Sequence, residues 1–224
     1  MELNSQNVPR DVLVIGASAG GLEPTLALLS SLPIELPAVV GVVIHRGAFG
    51  GPSLLADVVS RLAGRAVIEP LEPVTALPGV IYLGPRDQHI VFDRGRILAV
   101  RSAKQHFTRP AADPLFVSAA EGFGRRVVGV LLSGGGSDGV YGMIQIKRLG
   151  GMSLVQRPDE APHPSMPARA LEEDHVDAAL PLSDLMRVIP ELVRGQRVTT
   201  NGLASGNKGW LPPAGSKPDE HDSR

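Results

Sequence analysis

Three apolar runs constrain this 224-residue chain more than any other feature: VLVI within a strand over residues 11–15, AVVGVVI over 38–44 and VVGVLL over 127–132. A strand with one wet face alternates apolar and polar residues. A strand covered on both faces reads as a continuous apolar run, as these do. Each run is followed by residues at helical spacing, predicting helices over 22–32, 53–63 and 140–149. Pro24 is tolerated in the first turn of the first helix, Pro33 lies beyond its end, and Gly64 suits a C-cap of the second. Strands alternating with helices predict a parallel sheet with helices on both faces.

The rest of the chain fits that scheme. Residues 153–156 and 178–180 are further strand candidates, and 114–122, 165–172 and 182–193 further helices. Between them lies a β-rich middle with short candidates at 66–68, 80–83, 89–92 and 97–100, the last two joined by an Asp93-Arg94-Gly95-Arg96 turn. The expected fold is therefore α/β and doubly wound, with a mostly parallel sheet and a small β-hairpin region in the middle. Residues 1–10 read as a disordered arm, 11–194 as one catalytic-type domain, and 195–224, rich in Gly, Pro, Ser and charge, as a disordered tail.

Composition narrows the function. A net charge of −1 argues against a protein built to hold nucleic acid. The chain has no cysteine, which excludes disulfides, thiolate metal sites and a cysteine nucleophile. The polar N-terminus lacks the apolar segment of a secretory signal, and no apolar run reaches membrane-spanning length. The expectation is a cytoplasmic protein without membrane insertion.

In doubly wound sheets, ligands bind at the carboxyl ends of the strands. Three chemically capable residues follow apolar strands: Ser18, His45 and Asp138. Ser18 lies in Gly16-Ala17-Ser18-Ala19-Gly20, a Gly-x-Ser-x-Gly run between strand and helix, the layout of a nucleophile elbow. A plain strand–helix turn, a phosphate loop or a degenerate dinucleotide fingerprint are the alternatives. The fingerprint wants glycine where Ser18 stands and an acidic residue closing the next strand, which ends instead in His45. No Gly-Lys-Ser/Thr follows, so a P-loop is excluded. A nucleotide-binding domain therefore ranks below a hydrolase.

His45 follows its strand directly and could serve as base; His89, His106 and His163 compete from the middle and the loops, His175 and His221 from surface and tail. Asp138 lies in Ser133-Gly134-Gly135-Gly136-Ser137-Asp138-Gly139. It could orient the histidine or simply cap the next helix. The order Ser…His…Asp is not that of alpha/beta-hydrolases.

Taken together, VLVIGASAGG (12–21), the histidine after VVGVVI, PGVIYLGP (78–85) with His89, RPAADPLF (109–116), LLSGGGSDG (131–139) and SMP (165–167) resemble the catalytic domain of the chemotaxis CheB protein-glutamate methylesterases. The resemblance spans roughly residues 11–193. It implies a Ser18–His45–Asp138 triad, with Ala19 and the backbone amides near Gly135 and Gly136 around the oxyanion. It implies hydrolysis of glutamyl methyl esters on a methylated chemoreceptor-like protein, deamidation of glutamines, no cofactor, no metal, and a regulatory signalling partner. The expectation is a catalytic domain only, without the receiver domain that many members carry. It departs from the family at Ala19, where threonine is usual, at Gly135, where methionine is usual, and at Arg46-Gly47 after the histidine. Those departures motivate an alternative: a catalytically weak receptor-binding or signalling module. Arg46, Arg86 and Arg109 could face an acidic partner segment if their loops converge; solvated surface positions are the default reading.

Overall fold

The computed structural model describes residues 2–4, 6–47, 54–172 and 176–199. Its elements run, in order, β1 (Glu2–Leu3), β2 (Val12–Ala17), α1 (Leu22–Ser31), β3 (Val39–Ile44), α2 (Leu55–Ala63), β4 (Val67–Ile68), β5 (Val74–Thr75), β6 (Ile81–Leu83), β7 (His89–Asp93) and β8 (Arg96–Val100). They continue with α3 (Ala112–Phe123), β9 (Val127–Leu131), α4 (Val140–Arg148), β10 (Met152–Gln156), α5 (Ser165–Glu172), β11 (Ala178–Leu180), α6 (Leu182–Val193) and β12 (Val198–Thr199). Seven strands form one sheet in the order β11-β10-β9-β2-β3-β6-β4, and every pairing in it is parallel.

The apolar runs are buried on both faces because the strand repeat of two splits them between two cores. On β2, Leu13, Ile15 and Ala17 join a core with Leu28 and Leu29 of α1 and Leu185, Val188, Ile189 and Leu192 of α6. Val12 and Val14 point the other way, to Leu115 and Phe116 of α3 and Met143 and Ile146 of α4. At about 25 cal/mol per Å², each fully buried Val, Leu or Ile contributes roughly 1.5–3 kcal/mol of transfer free energy.

The second core has little room. Gly16, Gly41 and Gly129 interrupt β2, β3 and β9 on its side. A Cβ at Gly16 would lie 2.8 Å from that of Ala112, and one at Gly41 would lie 3.0 Å from Leu115. Missing side chains thus let α3 lie close on the sheet. α4 packs as closely on α3, since a Cβ at Gly142 would stand 2.4 Å from that of Phe116.

The β-rich middle divides. β4 and β6 extend the parallel sheet to its edge, whereas β7 and β8 form an antiparallel hairpin with β5 alongside. Arg94 and Gly95 turn that hairpin, both at positive φ (47° and 76°), as a two-residue type I′ turn requires. Gly64 caps α2 at φ 63°, as its position predicts. Helix α3 begins at Ala112 rather than Pro114. A first-turn proline lacks only an amide hydrogen that needs no helical partner, so it does not mark the first residue.

The ends of the domain need correction. Residues 1–10, expected as a disordered arm, include β1, which pairs antiparallel with β12 from the expected tail. Leu3 and Val198 are each 1% exposed and close one end of the first core. Asn4 fastens the two ends, its Nδ2 donating to the carbonyls of Val8 and Gln196 at 3.1 Å each. A run of two strand residues is too short to show periodicity in sequence. Residues 200–224, His221 among them, lie outside the described residues, as do Ser53 and His175.

The packing of α3 on α4 yields a test. In an open helix, Gly142→Ala would stabilise by roughly 1 kcal/mol. Here it must displace Phe116, and overpacking of this kind costs about 1–3 kcal/mol. We expect a lower melting temperature than wild type; an unchanged or higher one would contradict the packing.

Candidate active site

The connections from β2 and β9 leave the sheet on opposite faces, one to α1 and the other to α4, opening a crevice at their carboxyl ends. Ser18 stands at that edge. Its N–H donates to the Ser133 carbonyl at 2.9 Å and its carbonyl accepts from the Gly21 amide at 2.9 Å, folding the chain sharply into α1. Gly20 turns at φ 67°, tight against Pro162 and His163, so this turn requires glycine.

The neighbouring strand delivers His45. Ala17 pairs with Ile44, and the His45 amide donates to the Ala17 carbonyl at 3.0 Å. Ser18 and His45 are therefore the next residues out on adjacent strands, which run about 4.8 Å apart. The His45 ring is partly exposed, and its Nε2 lies 2.6 Å from Asp138 Oδ2. Among the described residues no hydrogen bond joins the Ser18 hydroxyl to His45. The ring nitrogen not engaged by Asp138 is Nδ1.

Asp138 comes from the loop after β9 and is 1% exposed. Besides His45, it accepts from the amides of Ala112 at 2.6 Å and Asp113 at 3.1 Å. Those are the first two amides of α3, whose own N-cap residue, Ala111, supplies no side-chain cap. The capping alternative raised above is thus met in an unexpected way. Asp138 caps α3, while α4 behind it begins at Gly139 with no side-chain cap. Burial alone would push the Asp138 carboxyl up. The His45 hydrogen bond, the Ala112 amide, the His45 charge and the Asp113 amide outweigh that and hold it below the ordinary carboxylate value.

The glycine-rich loop supplies the remaining wall. Gly134 is the close-approach residue, since a Cβ there would come within 2.8 Å of the Ser18 Cβ and overlap the Met166 sulfur. Its amide is committed to the His163 carbonyl at 2.9 Å. Gly135 differs, because a Cβ there would meet nothing within 4 Å. Ala19 is exposed in the Ser18 turn, and its carbonyl accepts from the Ser133 hydroxyl at 2.9 Å. Ser133 Oγ also accepts from the His163 amide at 2.9 Å, and its own amide donates to Gln156 Oε1 at 3.1 Å. One buried serine thus ties together three loops of the sheet edge. Ser133, Gly134 and Met166 lie in motifs visible in sequence and Gln156 ends a strand, but no pattern assigned them these contacts, which depend on loops distant in the chain.

The competing histidines separate by environment. His89 is fully buried, with Nδ1 accepting the Ala111 amide and Nε2 bonded to the Ala103 carbonyl, both at 3.0 Å. A ring that accepts at Nδ1 is neutral, and burial, followed by the nearby Arg109 charge, lowers its pKa. It braces the 101–111 loop. His163 contributes backbone groups to the serine clip. His106 bonds Asp113 at 3.0 Å and Ser137 at 3.2 Å.

His106, Asp113 and Asp138 are the one group of potential metal ligands among the described residues. Their carboxylate oxygens already accept from the Ala112, Asp113 and Gly142 amides and face His45 and His106. That arrangement is a hydrogen-bonded network rather than an open ligand set.

The arginines are spent internally. Arg46 binds Glu69 at 2.9 Å and the Gly84 carbonyl. Arg86 donates to the Gly47 carbonyl at 2.8 Å. Arg109 grips Asp87 at 2.6 and 3.0 Å. They shape the loops beside a cavity of about 330 Å³, lined by His45, Arg46, Lys104, Phe107 and Arg109 among others.

Comparison with known proteins agrees with this architecture. Residues 13–189 match the family model described as CheB methylesterase. A relative from Leptospira interrogans is 30% identical over 183 residues, covering 81% of this chain and 94% of its own. A protein-glutamate methylesterase/protein-glutamine glutaminase from Anaeromyxobacter dehalogenans is 37% identical over 186 residues, covering 82% of this chain and 54% of the relative. The crystal structure of the Thermotoga maritima CheB methylesterase catalytic domain superposes with a TM-score of 0.75 at 28% identity, covering 83% of this chain and 100% of that one. No helix among the described residues is long and apolar enough to cross a membrane. With its parallel sheet, its Ser18 elbow and its His45–Asp138 pair at the sheet edge, this chain belongs to the CheB methylesterase family.

Proposed function

We propose that this protein hydrolyses methyl esters on glutamyl side chains of a chemoreceptor-like protein, and glutamine amides by the same route. The observation that carries this reading is the 2.6 Å contact between His45 Nε2 and the buried Asp138, one strand from the Ser18 turn. Ser18 Oγ attacks the ester carbonyl, and its proton passes to His45 Nδ1, the nitrogen that Asp138 leaves open. Asp138 fixes the ring tautomer and stabilises the imidazolium. Collapse of the tetrahedral intermediate expels methanol, protonated by His45, and leaves an acyl-enzyme. Water, deprotonated by the same ring, then releases the glutamate. A glutamine substrate loses ammonia in place of methanol. Backbone amides at Ala19, Gly135 and Gly136 are our candidates to receive the oxyanion, supported by the exposure of Ala19 and Gly135 and the open space around both loop glycines. The chemistry needs neither metal nor organic cofactor.

A second reading is kept by one observation: the Ser18 hydroxyl makes no hydrogen bond to His45. A catalytically weak module would bind a methylated receptor without releasing methanol. Catalytic hydrogen bonds are often long before substrate binds, which favours the enzyme.

Methanol release from methylated receptor decides between them. Ser18→Ala should lower kcat by about 10³-fold or more, and Asp138→Asn by about 10³–10⁴-fold with substrate binding retained. Receptor binding with no methanol from the wild type would establish the module instead.

The lowered Asp138 carboxyl also links stability to acid. Its folded value lies below the unfolded value of 3.8, so its contribution is present above that pH and lost as pH falls through the folded value. Urea melts should show Asp138→Asn less stable than wild type at pH 7, with the gap closing toward pH 3. A gap that stays constant across that range would refute the assignment of the charge to Asp138.

A further inference from the structure

A second buried carboxylate lies behind the His45–Asp138 pair. Asp113 is 3% exposed, its amide donates to Asp138 Oδ1, and its own Oδ1 accepts the Gly142 amide at 2.7 Å. Ligand atoms of His106, Asp113 and Asp138 all lie within 4.8 Å of one another. Two carboxylates that close, away from water, oppose each other's ionisation. Burial first, and then the Asp138 charge, push the Asp113 carboxyl up.

His106 meets this problem from the 101–111 loop. Its Nε2 lies 3.0 Å from Asp113 Oδ2, and its Nδ1 lies 3.2 Å from Ser137 Oγ. A serine hydroxyl either donates or accepts, so this seat holds the ring whether neutral or protonated. The backbone is bent to reach it. Gln105 and Thr108 bond each other at 3.1 and 2.9 Å, closing a tight turn around His106 and Phe107, at φ 48° and 60°. Such turns favour Asn-Gly, and a left-handed residue with a Cβ costs about 1–2 kcal/mol. A histidine and a phenylalanine there break the local rule in order to place side chains.

We propose that His106 is a positioning residue for the active site: its ring, seated between Asp113 and Ser137, balances Asp113 when protonated, which keeps the negative charge of Asp138 available to orient and stabilise His45. The inference rests on His45 being the base of the proposed reaction. The charged groups facing it are Asp113 on α3 and Asp138 on the β9–α4 loop, with His45 beyond; Arg109 and Lys104 share its loop and line the cavity beside His45. His89 on β7 is neutral, and Arg109 is already paired with Asp87.

The test is the ring titration of His45, followed by NMR in the full chain, for wild type, His106→Gln, His106→Arg and Asp113→Asn. Loss of the ionisable ring in His106→Gln leaves Asp113 without its balancing partner and raises the His45 midpoint, by roughly half to one pH unit. Loss of the anion in Asp113→Asn lowers it, and His106→Arg, which keeps the charge, stays near wild type. The acid limb of methanol release should move with the NMR midpoint. An unmoved midpoint in His106→Gln, or the same shift in His106→Gln and His106→Arg, would overturn the proposal. If Asp113→Asn does not fold, the Gln and Arg pair still decides. Because the titration requires no turnover, shifted midpoints without methanol release would retain the charge balance and reject the esterase.

Discussion

The carboxylate of Asp138 is the point on which the site depends. A buried, ionised carboxylate is costly unless its oxygens are met by donors. Asp138 meets that requirement by turning to the two leading amides of α3, which have no helical acceptor of their own. The favourable end of the helix dipole adds to this. With those bonds made, the remaining donor direction is taken by His45. One side chain thus closes a helix, anchors a glycine-rich loop and fixes the imidazole.

That arrangement requires α3 to begin directly beneath the sheet edge. It can do so because glycines at 16, 41 and 129 remove side chains where the helices lie on the central strands. Core packing and site geometry are therefore coupled. Filling Gly16 or Gly41 would press on α3, the helix whose first amides hold Asp138. Ser133 performs a parallel task at Ser18, tying the Ser18 turn to the His163 segment through one buried hydroxyl.

Ser18, His45 and Asp138 were legible in sequence because the first two directly follow apolar strands, the third lies in the glycine-rich loop after another, and strand ends in such sheets converge. The elements were legible wherever periodicity ran for five or more residues. Short pairings such as β1 with β12 left no pattern. Charged residues were the hardest to read. Arg46, Arg86 and Arg109 look like surface cations in sequence, yet each is occupied by a carbonyl or carboxylate of a neighbouring loop. His89 and His106, equal candidates in sequence, differ only in what folding places beside them. One is sealed between two backbone groups, and the other faces Asp113.

The sequence by itself determined the layered α/β architecture and the identity of the three residues at the sheet edge. Strand burial and helical period are properties of neighbours in the chain. Only the tertiary structure decided that Asp138 caps α3 rather than α4, that Nε2 of His45 is the engaged nitrogen, and that Asp113 stands behind the pair. Those outcomes depend on groups from 25 to 93 residues apart meeting within hydrogen-bonding distance. No local pattern encodes such a meeting; it follows from how closely the helices can pack on the sheet.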